Sequence, residues 1–158
     1  MLASLVAYAV LSAAAPDTVP PSSCAAVKAT RVPQAFLAVA PGGSRDSVVR
    51  ATVCVTLPTA SSAKIGSYHG ELHFDSAAVG SVRVLKVEGG MRVENATIPG
   101  RVNFAGAAPT GFPQGALVSV ALRLRKPGVK PALHFRMLEL NTTDGADLMK
   151  QLPPSPTP

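Results

Sequence analysis

Apolar residues recur at every second position through most of this chain, which is the periodicity of strands rather than of helices. Residues 47–57 (SVVRATVCVTL) place Val49, Ala51, Val53, Val55 and Leu57 on one face. Residues 66–74 place Tyr68, Gly70, Leu72 and Phe74 on one side and His69, Glu71 and His73 on the other. A shorter apolar run covers 35–40. Residues 82–87 alternate Val82, Val84 and Lys86 with Arg83, Leu85 and Val87 ahead of the Gly89-Gly90 turn. Residues 101–105 direct Val102 and Phe104 inward and Arg101, Asn103 and Ala105 outward. In 116–125 the alternation sets Ala116, Val118, Val120, Leu122 and Leu124 against Leu117, Ser119, Ala121, Arg123 and Arg125. The last segment, 133–140, turns Leu133, Phe135 and either Met137 or Leu138 inward, and His134 outward.

Turn residues separate these segments: Pro58-Thr59-Ala60-Ser61, Pro99-Gly100, Pro113-Gln114-Gly115 and Lys126-Pro127-Gly128. A set of about seven to nine short strands, each with one apolar face, needs a second sheet to cover that face. The expected fold is therefore all-β: a two-sheet antiparallel sandwich, with a barrel as the alternative. The 13 glycines and 15 prolines, spread as punctuation, leave no room for long helices.

The ends differ from this middle. Residues 1–15 (MLASLVAYAVLSAAA) are uncharged and apolar and end in small residues. They are too short for a comfortable membrane span of roughly 20 residues. They read as the apolar core and cleavage site of a secretory signal peptide, although no Lys or Arg precedes them; a buried N-terminal apolar segment is the alternative. Residues 16–33 form a Pro/Ser-rich linker and 151–158 a Pro-rich tail, leaving a sandwich over 34–150. The expected location is secreted or in the cell envelope. In that setting two cysteines favour a Cys24–Cys54 disulfide over two free thiols. The net charge of +6 lies in scattered Lys and Arg, with only Arg123, Arg125 and Lys126 close together and no interleaved aromatics. That argues against nucleic acid as a partner.

Three ordered stretches resemble cohesin domains. These are 67–75 (SYHGELHFD) with the small-residue turn that follows, 101–118 (RVNFAGAAPTGFPQGALV), and 138–145 (LELNTTDG). The order and spacing hold over roughly residues 34–148. The resemblance implies a jelly-roll sandwich, a fold shared with carbohydrate-binding modules, and a non-catalytic role in binding a protein partner of the dockerin kind. By the family pattern, the outward side of 66–74 and of 101–105 is the partner-binding platform, which nominates Ser67, His69, Glu71, Arg101 and Asn103. Polysaccharide is the second ligand class, in a system that processes polysaccharides. Sugar platforms rely on exposed rings, however, and with no Trp and with Tyr68, Phe74 and Phe104 needed inside, mainly Phe112 is left.

Other candidate chemistry is sparse. His69, Glu71 and His73 share a strand face; positions i and i+2 lie about 7 Å apart, so two could share an ion, whereas i and i+4 lie about 13 Å apart and all three cannot. A solvated or partner-facing strand accounts for them better. Asn141, Asp144 and Asp147 offer oxygens around a glycine turn and make calcium the one candidate cofactor, although such turns form without an ion. No nucleophile elbow, phosphate loop or paired carboxylates appear, so no catalytic residue is nominated.

Overall fold

The computed structural model describes residues 24, 31–40, 47–58, 61–112 and 114–153. The signal segment, most of the linker and residues 154–158 of the tail lie outside them. Eight strands run β1 Gln34–Ala40, β2 Val48–Thr56, β3 Ile65–Phe74, β4 Val79–Leu85, β5 Met91–Asn95, β6 Arg101–Phe112, β7 Gly115–Leu124 and β8 Leu133–Thr142, followed by a 3-10 turn at Met149–Gln151. They form two antiparallel four-stranded sheets, ordered β1-β2-β7-β4 (sheet one) and β5-β6-β3-β8 (sheet two). Among the described residues no helix is long and apolar enough to cross a membrane.

The core lies between the sheets, where the alternating positions meet. Val49, Ala51, Val53 and Val55 of β2, and Val118, Val120 and Leu122 of β7, pack onto Tyr68 and Leu72 of β3, Val102 and Phe104 of β6, and Leu140 of β8. Gly70 faces this core, where a Cβ would come within 2.5 Å of the Phe104 ring. At residues 75–79 the chain leaves sheet two for sheet one. There the Asp75 carboxylate accepts from the Ala77 amide at 2.8 Å, and the Asp75 carbonyl accepts from the Ala78 and Val79 amides.

Three local expectations change, and one left open between Met137 and Leu138 is decided. The five-residue strand at 101 continues to Phe112: β5, which the pattern did not mark, pairs with β6 from Asn95↔Asn103 to Met91↔Ala107, and β3 pairs with it as far as Ile65↔Phe112. Phe112 is 2% exposed and packs 5.1 Å from Tyr68 in the core, so it is no surface ring. In β8 a bulge between the His69↔Glu139 and Gly70↔Met137 pairs lets Met137 and Leu140 both face inward, leaving Leu138 outside. Finally, β2 and β7 do not have one apolar face each. Thr52, Cys54, Ser119 and Ala121, which point away from the core, are buried as well. The Thr52 and Ser119 hydroxyls bond each other at 2.8 Å there, which satisfies two polar groups removed from water.

Candidate functional site: the open face of sheet two

The two outer faces of the sandwich differ. On sheet one the outward Thr52, Cys54, Ser119 and Ala121 of the central strands are buried, with Val48 and Arg123 exposed at one end, and Cys24 is joined to Cys54 in a disulfide with Cα atoms 5.7 Å apart. On sheet two the outward residues line up across four strands in register. One row is Met91, Ala107, Ser67 and Asn141; the next is Val93, Ala105, His69 and Glu139. The third is Asn95, Asn103, Glu71 and Arg136, and the last pairs Arg101, His73 and His134. Antiparallel registration brings side chains from distant parts of the sequence within contact range on this one face.

All the nominated platform residues fall in this grid. Ser67 donates its hydroxyl to Glu139 Oε1 at 2.9 Å, and the Asn141 amide donates to both Ser67 Oγ and Glu139 Oε1. His69 is exposed beside Ala105. Glu71 is the hub of the lower half: Arg101 Nη1 donates to its Oε1 at 3.1 Å, and His73 Nε2–H donates to its Oε2 at 3.0 Å. A carboxylate can only accept, so Glu71 fixes that tautomer of His73. The hydrogen bond from His73, reinforced by the Arg101 and Arg136 charges, holds the Glu71 carboxyl below its ordinary range. Beside this network, Arg101 Nε and Asn103 Oδ1 are buried without a hydrogen-bond partner.

The upper corner of the grid is apolar, and the sequence pattern did not find it. Met91 is 73% and Val93 71% exposed, next to Ala105 and Ala107. The signal was present in the alternation of MRVEN, with Met91, Val93 and Asn95 on one side. The segment is only five residues long and puts its hydrophobic residues outside, the reverse of the usual rule.

The calcium candidates are each engaged locally. Asn141 belongs to the sheet network just described. Asp144 accepts a short hydrogen bond from Thr142 Oγ1, which keeps its carboxyl below the ordinary range. Asp147 caps the 3-10 turn through the Met149 amide at 2.8 Å, with Lys150 at 3.7 Å. Among the described residues no three His, Cys, Asp or Glu side chains are grouped to hold a metal ion.

No family model and no curated protein sequence matches the chain. Solved structures do. A chain of the CaDoc0917–CaCohA2 complex superposes with a TM-score of 0.54 at 14% identity, over 73% of this chain and 91% of that one. A chain of the Coh-OlpA–Doc918 complex, a type I cohesin–dockerin complex from Clostridium thermocellum, gives 0.52 at 12% identity over 77% and 94%. The cohesin module of a family 33 glycoside hydrolase from Clostridium perfringens gives 0.50 at 14% identity over 75% and 90%. This chain has the cohesin fold.

Proposed function

We propose that the chain is an exported, non-catalytic module that holds a protein partner of the dockerin kind against the outer face of β5-β6-β3-β8. The observation that carries this reading is the contrast between the outer faces. One is covered around the Cys24–Cys54 bridge, whereas the other is an open plane with two exposed apolar side chains beside a fixed polar network. An apolar anchor edged by registered hydrogen-bonding groups is the usual make-up of a protein–protein contact. Two of the solved structures with this fold are complexes in which a cohesin meets a dockerin, which supports the same class of partner here. The sugar reading has no comparable support, since among the described residues no Phe or Tyr ring is exposed.

The test is a pull-down from the extracellular fraction of the source organism, with residues 24–152 as bait, with and without chelator. One specific protein should be recovered. It should be lost with the Glu71→Ala/Arg101→Ala pair and, separately, with Met91→Asp/Val93→Asp. Release by chelator would mark a calcium-dependent partner. Capture that survives both pairs of substitutions, or capture of insoluble polysaccharide alone, would remove the face from the proposal.

A further inference from the structure

The lower edge of the same face carries a second arrangement, next to the Glu71 and Arg101 of the proposed docking surface. His73 and His134 are directly opposed on neighbouring strands, with ring centroids 4.7 Å apart and planes 4° from parallel. Opposed positions of an antiparallel pair put Cβ atoms about 5 Å apart, close enough for two imidazoles to reach one ion. His73 already has the support such a ligand needs. Its Nε2–H is held by Glu71, whose other oxygen is held by Arg101. Nδ1 is thereby left with its lone pair free, and it has no hydrogen-bond partner among the described residues. A carboxylate on the remote ring nitrogen is the usual means of orienting a metal-bound histidine.

We propose that His73 and His134 form a two-histidine chelate for a divalent transition metal of the zinc, copper or nickel class, oriented by Glu71. Imidazole nitrogens select these ions over calcium or magnesium, which take oxygen donors. With His73 held by Glu71, the exposed His134 ring supplies most of the turn about Cβ–Cγ that brings the two nitrogens onto one ion, and that torsion is soft. The remaining coordination positions face solvent, open to water or to a donor from a docked molecule. The groups facing the pair are Glu71 on β3, Arg101 on β6 and Arg136 on β8. Glu71 favours a cation there and the two guanidiniums oppose it, so binding is reversible and weaker than at a closed four-ligand site.

The chain contains three histidines in all, His69, His73 and His134, which makes the test clean. The full chain, with no partner present, is titrated with zinc chloride and followed by calorimetry and by the imidazole signals in NMR. One equivalent should bind saturably, shift the signals of His73 and His134 together, and be removed by chelator. His134→Ala should weaken binding by about tenfold or more, while His69→Ala leaves it unchanged. In Glu71→Gln the nitrogen shifts of His73 should lose the single-tautomer pattern. No saturable binding, or binding unaffected by His134→Ala in a variant that keeps its melting temperature, would overturn the proposal. Because the metal is added alone, failure of the partner-binding reading would leave this result standing, and the reverse also holds.

Discussion

Arg92 closes the gap between β5 and β7 with its guanidinium packed 4.6 Å over the Phe112 ring. It donates to the carbonyls of Glu88, Gly89 and Leu117 and to the Tyr68 hydroxyl, whose own proton goes to Leu117 O. Burial pushes the Tyr68 hydroxyl up to about 12, against the opposing pull of Arg92, so it stays a neutral donor at any ordinary pH. Lysine keeps the charge but not the planar fork. Arg92→Lys should therefore cost about 1 kcal/mol in denaturant unfolding, because one ammonium cannot replace the hydrogen bonds that the fork makes to Glu88, Gly89, Leu117 and Tyr68 together. Glu71 makes the opposite kind of prediction, one of pH. Its carboxyl titrates below the ordinary value of 4.5 in the folded chain. Its contribution to stability is thus fully present above that value and is lost as pH falls through the lowered one. Thermal melts of the native chain and Glu71→Gln should differ at neutral pH and converge in acid; a constant gap would show that Glu71 is not held this way.

Individual strands show how far pattern reading reaches. β2, β3 and β7 were legible because their alternation carries a core, and Gly70 was placed correctly on the inner face of β3. Gly70→Ala should destabilise by about 1–3 kcal/mol, measured by chemical denaturation, because the added methyl meets both Phe104 and the Arg136 carbonyl. β5 was not legible, since its outward Met91 and Val93 invert the burial rule. Nor was the far half of β6, which β5 holds as far as Ala107 and β3 holds as far as Phe112. The bulge at Leu138 decides between Met137 and Leu138 through pairing with β3, a partner some 70 residues away, and no local pattern contains that choice. The same holds for the site. The β3 and β6 platform residues could be named from the resemblance, whereas Glu139, Arg136 and His134 join it only through strand registration.

For the molecule as a whole, the two-sheet plan follows from composition and periodicity, but the inequality of its two outer faces does not. Cys24 lies on the more covered side, bonded to Cys54 of sheet one. The bridge closes a loop of 30 residues, and in the chain-entropy view it contributes roughly 3–4 kcal/mol. Replacing both cysteines by alanine should lower stability by that amount, read as a lower denaturant midpoint, without changing residues on the open face. The bridge also decides how the domain responds to mechanical load. Traction applied ahead of Cys24 enters the sandwich at Cys54, in the middle of sheet one, and bypasses β1 and most of β2. Those strands cannot be peeled from the edge inward, and the stretch between the cysteines cannot be drawn out. Pulled to full extension, the oxidised domain should come out shorter than the reduced one by about 100 Å, the extended length of that protected stretch.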